Sequence, residues 1–164
     1  LNSWSTAGEM VLIARKADQL IGEGLSFDEV VEKLEEYTQE VRLLFTLEKF
    51  DNLIKAGRMK PLVGKVVAAL GIHLIAQASV DGRVELMFKV RGDDKTLEKI
   101  VDYMNEQKDM TGKPVVISHC NNQKAVDRIC EMIKEKCHTD DITVNDCKGL
   151  TSFYAMEKGL LIGY

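Results

Sequence analysis

No apolar run in these 164 residues approaches the ~20 residues that a membrane-spanning helix needs, so no helical span is expected. Positive charge is not in excess either. The 22 Lys and Arg stand against 26 Asp and Glu, a net charge of −4, which leaves no cationic footprint for nucleic acid or an anionic lipid surface. Cysteine is sparse and confined to the last third, at Cys120, Cys130, Cys137 and Cys147, with no Cys-x-x-Cys. That pattern argues against a secreted disulfide scaffold and reads as four reduced thiols in a cytoplasmic protein. A phosphate-binding P-loop is missing, because Val63-Gly64-Lys65 lacks both the preceding glycine and the following Ser or Thr. No serine lies in a Gly-x-Ser-x-Gly elbow. There is no internal repeat and no low-complexity linker.

What is present is ordinary globular material. Hydrophobic residues make up 45% and charged residues 29%, and the length suits about one domain with a core of its own. The chain opens at Leu1 without an initiator methionine, a basic stretch or a long apolar segment, so it does not read as a signal peptide. Asn2-Ser3-Trp4-Ser5 reads instead as a loop entering a helix partway through a longer protein. Apolar residues from Met10 to Ile21 recur at three-to-four spacing and predict a helix over about 8–22, stopped by Gly22 and Gly24. Ser26 with Glu29 predicts a capping box opening a second helix, its core face formed by Phe27, Val30, Val31, Leu34 and Tyr37.

A strand over 41–46, a helix over about 48–55 and another helix after Pro61 follow. Ile72 to Ala78 and Val84 to Val90 form the clearest hairpin, with Asp81-Gly82 supplying the turn. A helix near Asp93, a strand over 114–118, a helix capped by Asn121 or Asn122, and strands over 141–145 and 159–163 complete the reading. Strands alternating with helices predict an α/β fold, a mixed sheet covered by helices.

Residues able to carry chemistry are few. His119 sits between a strand end and a helix cap, where a local hydrogen-bonding role competes with catalysis. His119-Cys120 and Cys137-His138 match no zinc spacing, and no metal site is expected. Adjacent Asp93 and Asp94 are accounted for by the dipole at a helix start. Lys55-Ala56-Gly57-Arg58 ends a helix on glycine and leaves Arg58 either on the surface or facing a ligand mouth.

Read in order, four segments resemble the DegV family of bacterial fatty-acid-binding proteins. Leu1 to Gly8 resembles its strand end and small Ser-Gly helix start. Phe50-Asp51-Asn52-Leu53-Ile54-Lys55-Ala56-Gly57-Arg58-Met59 is similar to its "YLxKGGRI" segment. Asp81-Gly82-Arg83-Val84 through Lys89-Val90-Arg91-Gly92 is similar to its "DGxI…KVRG" hairpin, and Ile117-Ser118-His119-Cys120-Asn121-Asn122 to its strand followed by histidine.

The resemblance implies the second domain of a two-domain α/β protein that holds one long-chain fatty acid between domains without being an enzyme. Residues 1–24 would be the remnant of the first domain and 25–164 the C-terminal domain, with the last strand, about 159–164, pairing back toward the first. The family's "T-S-Q-P-S" and "S-S-x-L-S-G-T" loops, whose hydroxyls hold the carboxylate, are absent here, so no carboxylate ligand carries over and no cofactor is implied. The resemblance leaves the acyl tail to be lined by Ala7, Gly8, Phe45, Leu53, Leu70, Ile72 and Ile75, with Arg58, His119 and Tyr154 on a polar rim. Gly8 is singled out because a helix start without a side chain lets a ligand come close. The family's "H-x-G-P-G" is replaced by Tyr154-Ala155-Met156-Glu157-Lys158-Gly159, which offers a phenol where others have an imidazole. Its "K-P-I" becomes His73-Leu74-Ile75.

The implied partners are a long-chain fatty acid and a fatty-acid kinase protein, with no nucleic acid and no membrane insertion. Two alternatives stay open. One is a phosphotransfer or kinase-associated component related to dihydroxyacetone-kinase substrate domains, in which His73, His119 or His138 would act. The other is an α/β domain used for dimerisation.

Overall fold

Leu43 to Leu47 is buried along its whole length, as a strand covered on both faces must be. It lies inside a six-stranded sheet in a computed structural model that describes residues 2–59, 71–79 and 83–164. Element order among these residues is α1 (Ala7–Gly22), α2 (Phe27–Glu40), β1 (Leu43–Leu47), α3 (Asp51–Lys55), β2 (Ile72–Ala78), β3 (Val84–Arg91), α4 (Asp93–Gln107), β4 (Val115–His119), α5 (Gln123–Cys137), β5 (Ile142–Asp146), α6 (Gly149–Ala155) and β6 (Leu160–Gly163). The strands run in the order β3-β2-β1-β6-β4-β5. Only β4 and β5 pair in parallel, and the other neighbours are antiparallel. The expected mixed sheet covered by helices is therefore present.

Side chains alternate across each strand, and that alternation divides the core. Leu44, Ile75, Val115, Ile117, Leu160 and Ile162 face α4 and α5, which bury Ile100, Val101, Met104, Ile129 and Ile133 against them. On the opposite face Val116 packs with Leu12, Ile13 and Leu20 of α1 and with Val30 and Leu34 of α2. Beside that patch, Leu43, Phe45, Leu47, Leu74, Ala76 and Leu161 form a third cluster under α3 and α6. Each fully buried Leu, Ile, Val or Met contributes about 1.5–3 kcal/mol, so the sheet is held from both sides. Thus α1 lies on the sheet against β4 and β6 with α2 packed on α1, and β6 runs between β1 and β4 near the sheet's centre.

Most predicted elements fall within a few residues of the observed ones, and the departures have physical causes. The capping box at Ser26 forms with both of its hydrogen bonds. Phe27, expected in the core, is 81% exposed, because the first residue after the cap projects beyond the region where α2 meets α1. Asn122 does occupy the N-cap of α5, yet its side chain donates to the Lys158 carbonyl at 2.7 Å and leaves the helix uncapped. Helix α3 spans only Asp51–Lys55. The turn at Asp81-Gly82 and the helix expected after Pro61 lie outside the described residues. Helix α6 was not expected, since seven residues with exposed Leu150 and Phe153 carry too little periodicity to read.

Candidate functional site

Three helix segments converge over the cluster formed by β1, β2 and β6. Helix α3 stops in a Schellman motif. The Arg58 N–H donates to the Leu53 carbonyl at 2.8 Å and the Gly57 N–H to the Ile54 carbonyl at 3.0 Å, with Gly57 at φ +70°. That left-handed position is why glycine precedes the arginine, and it turns the chain so that Arg58 leaves the helix end exposed. Helix α6 is fixed on both sides. Asn52 Nδ2 donates to the Phe153 carbonyl at 2.6 Å, and the hydroxyls of Thr6 and Thr151 meet at 3.3 Å. Lys158, just before β6, pairs with Glu48, just after β1, at 3.0 Å.

The convergence brings Ala7, Phe45, Leu53 and Tyr154 into one apolar cluster. Phe45 and Leu53 are 6% and 7% exposed, while Ala7 and Tyr154 are half-buried at its margin. Ile72 is half-buried and shares the face of Leu74 and Ala76 by strand alternation. Leu70 lies outside the described residues.

Three of the expected site residues are placed elsewhere. Ile75 belongs to the α4–α5 core on the other face, because it is one residue out of phase with Leu74 and Ala76. His119 shares that other face with Val115 and Ile117. Its Nδ1 accepts from the Asn122 N–H at 3.3 Å, which leaves Nε2 to face Asp146 Oδ1 at 3.5 Å. Gly8 does mark a close approach, but to the sheet. A Cβ there would stand 2.4 Å from the Val116 carbonyl oxygen and 2.9 Å from the Gly163 nitrogen, so the sheet backbone occupies the space imagined for a ligand.

Sequence reading also missed members of the cluster. Leu47, Phe50, Ala155 and Leu161 are buried in it, and Cys120 and Cys147 pack against it. Alternation along β6 could have found Leu161. Nothing local could have found the two cysteines, which depend on how β4 pairs with β5.

The other histidines do not join this site. His73 Nε2 lies 2.8 Å from Asp93 Oδ1, and His138 is the exposed left-handed cap of α5. No group of three or more His, Cys, Asp or Glu among the described residues is arranged to hold a metal ion. One hollow among them, about 550 Å³, is an open groove lined by Leu86–Val90 of edge strand β3 and by Lys99 of α4. No helix among the described residues is long and apolar enough to cross a membrane.

A three-layer α/β unit with an apolar cluster beneath α3 and α6, against which Tyr154 packs, is the class that fold and geometry define. The profile described as "Uncharacterised protein, DegV family" matches residues 1–160, and the chain belongs to the DegV family. It is 41% identical over 164 residues to a DegV domain-containing protein of Streptococcus pyogenes, covering 100% of this chain and 58% of that one. Among solved structures it is similar to the Streptococcus pneumoniae Fatty Acid Kinase (Fak) B3 protein loaded with linoleic acid, with 40% identity and a TM-score of 0.93, covering 100% of this chain and 58% of that one. It is also similar to a DegV family protein from Eubacterium eligens loaded with heptadecanoic acid, with 33% identity and a TM-score of 0.94, covering 99% of this chain and 59% of that one. The chain thus spans 58% of the length of the curated relative it matches.

Proposed function

We propose that the whole protein binds one long-chain fatty acid without transforming it, and that this chain supplies a wall for the acyl tail. The observation that carries the reading is the meeting of Ala7, Phe45, Leu53 and Tyr154 from four separate segments in one apolar cluster. Two relatives of the same fold, at 40% and 33% identity, hold linoleic and heptadecanoic acid. Ile72 extends the wall along β2, and Arg58 with Tyr154 forms its polar edge. Tail burial contributes ~0.8 kcal/mol per methylene, so an apolar wall supplies most of the affinity even where the carboxylate is held by residues outside this chain. A carboxylate left without donors would be strongly disfavoured, which assigns its hydroxyl partners to the part of the protein beyond this chain.

The reading makes the protein a presenter of acyl chains in the cytoplasm, handing them to a fatty-acid kinase, in keeping with the name of the pneumococcal relative. For the whole protein we retain the partition at residue 24, with residues 1–24 leading in from the first domain, although within this chain α1 packs on the common sheet. The test is equilibrium binding of saturated fatty acids of increasing length to the full-length protein. Each pair of added methylenes is expected to tighten binding by about tenfold. Affinity independent of chain length would overturn the reading.

A further inference from the structure

Two thiols left unused by this reading stand at the ends of neighbouring strands. Cys120 follows β4 and Cys147 follows β5, the parallel pair whose last register partners are His119 and Asp146. The Cys147 N–H donates to the His119 carbonyl at 2.8 Å, and the Cys120 N–H donates to the Gly159 carbonyl at 3.0 Å, so both backbones are fixed. Both side chains are half-buried and pack against the apolar cluster that includes Tyr154. Neighbouring strands run ~4.8 Å apart, inside the ~4.4–6.8 Å Cα range over which a disulfide closes. Cys130 and Cys137 have no such access to each other, because seven residues along one helix separate them by ~10 Å.

We propose that Cys120 and Cys147 form a modification site, a dithiol that closes reversibly to an intramolecular disulfide on contact with a small-molecule disulfide of the glutathione type. Burial, and then the adjacent Cys120 thiol, push the Cys147 thiol up, so Cys147 keeps its proton and is cast as the resolving thiol. The Cys120 thiolate attacks one sulfur of glutathione disulfide and releases one glutathione thiolate. The Cys147 sulfur, giving its proton to that thiolate, then attacks Cys120 Sγ and expels the second glutathione. Two protein thiols are oxidised and one external disulfide is reduced to two thiols, so electrons and protons balance. Because α6 begins two residues after Cys147, the bridge pins the root of the helix that carries Tyr154.

The test uses the reduced full-length protein, exposed to glutathione disulfide, digested before aspartate residues to part Cys137 from Cys147, and mapped without reduction. The expected product has lost two hydrogens, joins Cys120 to Cys147, and reverts with dithiothreitol. Cys147→Ser is expected to stop at a glutathione adduct on Cys120, and Cys137→Ser to leave the bridge intact. A bridge through Cys130 or Cys137, adducts on both cysteines without closure, or two persistently free thiols would each overturn the proposal. The wild-type map decides it even where a variant fails to fold, and it reads out independently of any bound fatty acid.

Discussion

Gly8 and Gly163 meet backbone to backbone. A Cβ on Gly163 would stand 2.4 Å from the Glu9 nitrogen, and one on Gly8 would stand 2.9 Å from the Gly163 nitrogen. Helix α1 reaches the sheet only because neither residue has a side chain, and its start in turn places Ala7 against the apolar cluster. Gly163→Ala must therefore lift α1 or bend β6. The expected loss is about 1–3 kcal/mol, the usual range for overpacking a tight contact, read as a lower urea midpoint at an unchanged slope. An unshifted midpoint would mean that α1 is not held in this way.

Glu9, the residue after Gly8, is only 6% exposed. Burial raises its carboxyl above the ordinary value of 4.5, while the Ser5 hydroxyl hydrogen bond and the charges of Arg42 and Lys108 partly oppose the shift. The folded state thus holds the proton more tightly than the unfolded state. The contribution of Glu9 is fully favourable below the unfolded value and is lost as pH rises through the folded one. Glu9→Gln removes that dependence. The stability difference between Glu9→Gln and the parent protein is expected to move in the variant's favour as pH is raised from 4 to 8, measured by thermal unfolding. A difference that is flat across that range, or that moves the other way, contradicts the assignment.

Met156 closes α6 at φ +56° and ψ −169°, a region that side chains rarely adopt. Met156→Gly is expected to raise stability by about 0.5–1 kcal/mol, since the relief of strain exceeds the entropy that glycine adds to the unfolded chain. A lower melting temperature in this variant would show that the methionine side chain matters more than the backbone it strains.

Arg58 is exposed, and its backbone N–H is held by the Leu53 carbonyl. Arg58→Ala is expected to leave stability within about 0.5 kcal/mol of the parent protein. In the full-length protein it is expected to weaken fatty-acid binding by about two- to fivefold, the worth of an exposed charge attracting a carboxylate that other residues hold. Binding unchanged in this variant would remove Arg58 from the polar edge and leave Tyr154 there alone.

Local chemistry explains what could be read from the sequence. Ser26 with Glu29 fixed the start of α2, and Gly57 before Arg58 fixed the end of α3, because each motif satisfies its backbone groups within a few residues. The mixed α/β class followed from the order of apolar runs. Choosing a sheet face did not follow. Ile75 and Leu74 are equally apolar and fully buried, and only strand pairing sends one to α4 and α5 and the other beneath α3 and α6. Gly8 was legible as a close approach, but its partner is Gly163, 155 positions away in a strand that sequence reading could not place against it. Cys120 and Cys147 became neighbours for the same reason, through the parallel register of β4 and β5. Four of the proposed wall and edge residues, Ala7, Phe45, Leu53 and Tyr154, were named from the resemblance and are gathered by the fold. His119 was named with them but is held on the other face.

The most direct test of the acyl-binding account is native mass spectrometry of the full-length protein as purified, followed by organic extraction and lipid analysis. The account predicts a mass exceeding that of the polypeptide by one long-chain fatty acid, with that acid recovered in equimolar amount. A bare polypeptide that stays bare after incubation with long-chain fatty acid would contradict it.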